Sequence, residues 1–312
     1  MDNLILSAGV VLPLFLMMAL GYALRRMSLV DAHTLSGLNK LVFRVFLPVM
    51  LFKNIYDTNL SDSFEPKLMA FAVCSILLLF MLTMVIVPLL EKENPKRATM
   101  VQAIYRSNFI LFGLPITTAL FGPEKAGVAA ILISVTIPLF NIFAVVALEF
   151  FRGGRFDGKK ALMGIVTNPL IIASFLGIIF LLCGIRLPKP VMSAISDVGK
   201  AATPMALLVL GGTFKFSAVS GSLRQLIICV IGKLIVSPGL FLTLAVFFGF
   251  RGVELAAILS LFASPTATSS YPMAVEMDAD GELAGQVVVL GSLFSVFTMF
   301  FWVFILKQLM LI

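Results

Sequence analysis

The chain has 312 residues, 60% of them hydrophobic and 12% charged, with a mean hydropathy of +1.08 and a formal net charge of +7. This is far more apolar than an average water-soluble domain, so the composition excludes a soluble enzyme and reads as an integral membrane protein. The positive balance is explained below by membrane topology and gives no nucleic-acid reading.

Apolar stretches of roughly 17 to 25 residues recur along the whole length, which suits helices rather than the short alternating strands of an outer-membrane barrel. Ten spans are predicted, at about 5–24, 35–52, 67–90, 99–121, 127–151, 161–183, 191–213, 223–248, 254–275 and 283–306. Met1-Asp2-Asn3 lacks the cationic start of a cleavable signal, so the first apolar stretch is expected to remain as a span. Near the start of the second span, Asn39 is polar, and Lys40 and Arg44 sit one turn apart, where either snorkelling or an internal role is open. The fourth span carries Arg106, Asn108 and the triplet Gly113-Leu114-Pro115. An internal proline removes a backbone donor and clashes with the preceding turn, so a helix break is predicted at that triplet. Asn141 in the fifth span and Asn168-Pro169 in the sixth are expected to make interhelical hydrogen bonds at kinks. Lys200 in the seventh follows Asp197 by three residues, a helical ion-pair spacing. Lys233 in the eighth lies deeper and is expected to bond carbonyls freed by a proline or an unwound turn. The ninth is predicted to break at Ser264-Pro265, and the acidic run 276–282 reads as a solvated turn before the tenth.

The prolines repeat. Pro115 and Pro265 are 150 residues apart, as are Pro88 and Pro238, while Pro48 and Pro204, and Pro13 and Pro169, are 156 apart. That pattern suggests a duplicated unit: residues 1–151 and 161–312 as two five-span halves joined by a cytoplasmic linker at 152–160. Five crossings per half would make the second copy inverted, and transporters built this way place the substrate at the repeat interface. With the N-terminus outside, eleven Lys and Arg fall in inner loops and seven in outer segments, which favours both termini outside.

Each predicted break would start a half-helix whose N-terminal end carries unpaired N–H groups and partial positive charge, a setting for an anion. The candidate substrate-binding residues are Arg106, Asn108, Gly113, Pro115, Ile116, Thr117, Ser264, Pro265, Thr266, Thr268 and Ser269, with Thr118 and Ser270 as further hydroxyls. Cys74, Cys183 and Cys229 lie in apolar runs without metal-ligand spacing, and His33 is the single histidine, so neither a cofactor nor a metal is expected. No nucleophile with its base is apparent, which disfavours an intramembrane enzyme.

Five fragments, in order, resemble the auxin efflux carrier family of membrane transporters, including bacterial members associated with malonate and malate: Leu38-Asn39-Lys40-Leu41-Val42-Phe43 running to Leu47-Pro48 and Leu51-Phe52; Ser107-Asn108 running to Phe112-Gly113-Leu114-Pro115; Ala202-Thr203-Pro204-Met205-Ala206-Leu207-Leu208 with Gly211-Gly212; Lys233-Leu234-Ile235 with Pro238; and Ser264-Pro265-Thr266-Ala267-Thr268. The resemblance implies an all-α fold of ten helices in two inverted repeats with crossing fourth and ninth spans, a scaffold of spans 1, 2, 6 and 7, a moving transport domain of the other six, a homodimer and carboxylate substrates. Asn108, Pro115 and Pro265 match the family's crossover positions, whereas Arg106 matches no family motif.

The expectation is a secondary transporter of small organic anions in the cytoplasmic membrane, working by alternating access, with H+ or Na+ as a coupling ion left open. A sodium-coupled symporter of the bile-acid type and a non-transporting membrane receptor remain as alternatives.

Overall fold

The computed structural model describes residues 2–57, 65–122, 125–152, 158–214 and 221–312. Most of the loop between Lys53 and Lys67, the centre of the 152–160 linker with Arg155, and Lys215 lie outside these residues. Every regular element among the described residues is helical. The order is α1 (Asp2–Arg26), α2 (Ala32–Leu41), α3 (Leu47–Tyr56), α4 (Pro66–Leu90), α5 (Asn94–Tyr105), α6 (Phe109–Phe121), α7 (Ala126–Phe150), α8 (Gly158–Val166), α9 (Pro169–Leu182), α10 (Lys189–Thr213), α11 (Leu223–Ile231), α12 (Ser237–Phe247), α13 (Gly252–Ala263), α14 (Ser270–Glu276) and α15 (Gly281–Gln308).

Among the described residues, six helical runs are long and apolar enough to cross a membrane: Ala32–Tyr56, Pro66–Leu90, Gly127–Phe150, Lys189–Thr213, Leu223–Phe247 and Gly281–Gln308. A bent pair, Asn94–Gly113 with Pro115–Phe121, makes a seventh. The protein is therefore a multi-pass membrane protein. Large apolar side chains such as Val85, Phe247 and Phe301 on these runs, and Leu16 and Phe175 on α1 and α9, are exposed, as a lipid-facing surface requires.

Two of the runs are joined by single π-helical turns, Val42–Phe46 between α2 and α3 and Gly232–Val236 between α11 and α12. Each stands just before a proline, Pro48 or Pro238. A proline clashes with the carbonyl four residues back, at Arg44 or Leu234, and the wider turn relieves that clash without ending the helix. Trp302 Nε1 donates to the Leu234 carbonyl at 3.0 Å, satisfying one acceptor that the proline leaves open.

The helix pattern corrects the sequence reading at the fourth and sixth spans. In the fourth, the backbone is unwound at residues 106–108; at the 113–115 triplet the span breaks direction by 52° between Gly113 and Pro115, where a break was expected, but α6 remains helical through it. In the ninth span, Pro265 lies inside the unwound segment itself. Pro115 and Pro265 therefore do not occupy equivalent positions, and their 150-residue spacing is not the register of the two breaks. The sixth span is divided at Thr167-Asn168, where Asn168 Oδ1 accepts the Leu170 N–H at 2.9 Å and caps α9.

Helices α1, α3, α9 and α10 pack chiefly on one another, while α4 to α7 and α12 to α15 form the surroundings of the two breaks. The α1–α10 crossing is very close: a Cβ on Gly21 would stand 2.0 Å from the Leu208 carbonyl oxygen, and one on Gly211 1.9 Å from that of Met18. Only glycine permits such backbone approach.

Candidate functional site

The first break begins where α5 ends. Tyr105 is buried, its hydroxyl donating to the Phe140 carbonyl at 2.6 Å, which ties the end of α5 to α7. Arg106 then turns to an extended backbone (φ −72°, ψ 147°), and Asn108 (φ −80°, ψ 47°) precedes α6. The Arg106 side chain is only 2% exposed. Its Nη2 donates to Asn141 Oδ1 and to Ser269 Oγ, both at 2.8 Å, and its Nη1 to Met273 Sδ at 2.9 Å and Ser270 Oγ at 3.3 Å. The guanidinium thus spans from its own break to α7 and to the second break.

The second break follows from proline chemistry. Pro265 forces the residue before it out of the helical region, and Ser264 accordingly sits at φ −62°, ψ 146°. Helical structure resumes only at Ser270. The two breaks are bonded directly: the Asn108 N–H donates to the Pro265 carbonyl at 2.8 Å, and Thr266 Oγ1 donates to the Ala103 carbonyl at 2.7 Å. Gln102 Nε2 adds a bond to the Ser270 carbonyl at 3.2 Å. Backbone that has left the helix at membrane depth is thereby satisfied by the other break, as the bilayer interior demands.

A cavity of about 490 Å³ opens against this junction. Arg106, Asn108, Thr268 and Ser269 of the predicted set line it, as does Asn141. Ser264 and Thr266 are buried behind the wall with their hydroxyls engaged on the carbonyls of Ser260 and Ala103, and the Pro265 carbonyl holds Asn108. Gly113, Pro115, Ile116 and Thr117 lie further along α6 and do not line the cavity; Thr117 is wholly buried. Lys200 also reaches the cavity, although it pairs with Asp197 at 3.7 Å as its spacing foretold. No carboxylate lines the cavity among the described residues, and three cations do: Arg106, Lys53 and Lys200.

Three successive lining residues each carry a buried donor without a protein partner. Arg106 Nε, Ser107 Oγ and Asn108 Nδ2 are all buried, and none has a hydrogen-bond acceptor among the described residues. A buried unpaired donor costs roughly 1 to 3 kcal/mol, so three in a row beside a cavity are a place where an acceptor from outside the protein would be stabilising.

The other polar residues singled out in the sequence serve elsewhere. Asn39 donates to Glu276 Oε1 at 3.0 Å, joining α2 to the end of α14. Asn168 Nδ2 approaches Met277 Sδ at 3.7 Å, an interhelical contact of the expected kind. Lys40 and Arg44 are exposed on the surface of their run, the snorkelling alternative. Lys233 is fully buried in its π turn, and its Nζ has no hydrogen-bond partner among the described residues, carbonyls included. The acidic run is used up in structure: Asp278 pairs with Arg152 at 2.7 Å, and Asp280 caps α15 through the Leu283 N–H at 2.9 Å.

Sequence reasoning passed over Ser107 and Thr203 as lining residues. Ser107 stood between two residues already chosen, and Thr203 lay in the Ala202-Thr203-Pro204 fragment, so polarity inside an apolar run was the available signal for both. A second cavity, of about 870 Å³, lies further along the α10–α14 seam and is lined by Arg25, Thr213, Tyr271, Asp278 and Gln286, among others. Leu14 and Leu207 face the first cavity, Leu210 and Tyr271 the second, and all four belong to one buried apolar cluster with Met18, Val209 and Val288. Tyr271 and Thr213 hydroxyls hydrogen-bond at 2.6 Å across this seam.

Comparison with known proteins agrees with this picture. A family model described as "Membrane transport protein" matches the chain twice, over residues 7–159 and 155–303. The chain is 25% identical over 301 residues to an "Uncharacterized transporter" of Methanothermobacter thermautotrophicus, covering 95% of this chain and 97% of that one. It is 24% identical over 297 residues to a protein of Rhizobium meliloti named "Putative malonate transporter", covering 93% and 92% respectively.

Proposed function

Because this chain belongs to the membrane transport protein family, the auxin efflux carrier family that its sequence resembles, we propose that it is a secondary transporter of small organic anions, mono- or dicarboxylates of which malonate is the first to test. One observation carries the reading. Arg106, Ser107 and Asn108 are successive lining residues of a cavity that has cations and no carboxylates among its described lining, and each keeps a buried, unpartnered donor (Nε, Oγ and Nδ2) beside it. A carboxylate offers two oxygens with about four acceptor sites and would satisfy all three donors. The N-terminal end of the 13-residue α6, beginning beside Asn108, adds partial positive charge at the same place.

In this reading the ten predicted spans form two inverted halves, 1–151 and 161–312, with the breaks crossing at mid-membrane. The mutual packing of α1, α3, α9 and α10 supports a scaffold of spans 1, 2, 6 and 7, and the double match of the family model supports the duplication. The apolar cluster around Tyr271 closes the path between the two cavities, and alternating access would open it. The protein resides in the cytoplasmic membrane with both termini outside and works as a homodimer.

The test is uptake of labelled malonate and related carboxylates into proteoliposomes, with counterflow to distinguish translocation from binding. Asn108→Asp puts a negative charge among the donors and is expected to abolish uptake. Ser107→Ala should weaken apparent affinity about tenfold for one charge-assisted bond. Full uptake by Asn108→Asp, or stabilisation of the purified protein by amines alone, would overturn the anion reading.

A further inference from the structure

Arg106 is surrounded in an unusual way. No carboxylate pairs with it among the described residues; its two Nη atoms are held by Asn141 Oδ1, Ser269 Oγ, Ser270 Oγ and Met273 Sδ, at 2.8 to 3.3 Å. These four acceptors are all uncharged. They come from α7, the second break and α14, and converge on one positive charge inside the membrane. The acidic residues nearest in sequence to the Ser269–Met273 acceptors, Glu276 and Asp278, are occupied by Asn39 and Arg152.

Three of the four acceptors are side-chain oxygens and the fourth is a thioether sulfur. A shell of neutral oxygens gathered at an unwound transmembrane segment is the environment in which transporters hold a small monovalent cation. Here a side chain fills it. A mobile cation entering the same shell would stand within about 4 Å of the guanidinium, where like charges repel strongly in a partly buried setting. Arginine also keeps its charge under all ordinary conditions.

We propose that Arg106 is a tethered cation: its guanidinium takes the place of a co-transported sodium ion between the two breaks, so that anion binding in the adjoining cavity needs no sodium. The consequence for transport rests on the carboxylate reading above, whereas the filling of the shell stands on the geometry alone. A fixed charge neutralises the bound anion without being released on either side of the membrane.

The experiment compares thermal unfolding of the purified protein in sodium chloride and choline chloride at equal ionic strength. The native protein is expected to unfold at the same temperature in both. Arg106→Ala empties the shell, and this variant should be stabilised by sodium, or by guanidinium far below denaturing concentrations, relative to choline. Its apparent affinity for malonate in choline should fall about tenfold or more and recover when either cation is added. Stabilisation of the native protein by sodium would overturn the proposal, as would an Arg106→Ala variant indifferent to both cations. If Arg106→Ala does not fold, Arg106→Lys serves instead: it retains a positive charge and should remain indifferent to sodium, and a sodium response there would equally overturn the proposal. If malonate has no effect on the native protein while the cation results come out as stated, the carboxylate reading fails and the tethered cation stands.

Discussion

The close crossing of α1 and α10 gives the most direct test of the packing. In Gly211→Ala the new methyl would lie 1.9 Å from the Met18 carbonyl oxygen, against 3.4 Å or more for an ordinary contact, so the two backbones must part by about 1.5 Å. Neither neighbour can yield by rotating a side chain, because both are main chain. A gap of that order forfeits much of the dispersion attraction along the crossing, and overpacking of this kind costs at the upper end of the usual 1 to 3 kcal/mol. Thermal unfolding in detergent, followed by the fluorescence of the single tryptophan Trp302, should show a midpoint lowered by about 6 °C or more. The double variant Gly21→Ala, Gly211→Ala should lose less than the sum of the singles, since one separation of the helices relieves both clashes. A Gly211→Ala midpoint equal to the native one would refute the backbone contact.

Lys233 buries its ammonium without a hydrogen-bond partner among the described residues, and a charge in the bilayer costs at least about 2.5 kcal/mol, so Lys233→Met should raise the unfolding temperature; a fall would show that the amine is satisfied in the folded protein. Burial pushes the Glu91 carboxyl up, but the Gln225 side chain and the Glu93 and Lys92 N–H groups outweigh it and hold the group below the usual carboxylate range. The stabilisation is therefore present at neutral pH and lost as pH falls through that lowered value, and Glu91→Gln should flatten the acid side of a stability profile measured by thermal unfolding.

Much of the fold could be read from the chain because membrane burial imposes long apolar runs, and the described helices follow the predicted spans within a few residues at most ends. The deviations have a common cause. A break was expected at Pro115, yet α6 bends there without ending, and Pro48 and Pro238 sit behind π turns while Pro13, Pro88, Pro138 and Pro204 lie within helices, as their predicted spans required. In a packed membrane helix a missing hydrogen bond is absorbed by a wider turn or a neighbouring donor such as Trp302, so proline marks a weak point and not necessarily an end.

The same reasoning separates the two halves of the site. Pro265 dictates the second break locally, because its ring sets the backbone of Ser264, and that break was legible. The first has no proline at residues 106–108; it is held open by contacts that come from elsewhere in the chain, the Asn108 N–H on the Pro265 carbonyl and the Arg106 guanidinium on Asn141, Ser269 and Ser270. Those partners are 35 to 164 residues away, so no local pattern could place the break. What the sequence did offer was an arginine in an apolar span without an acid near it. Such a residue must find neutral acceptors or an anion, and Arg106 has found the first with its two Nη atoms while its buried Nε is left without a partner among the described residues.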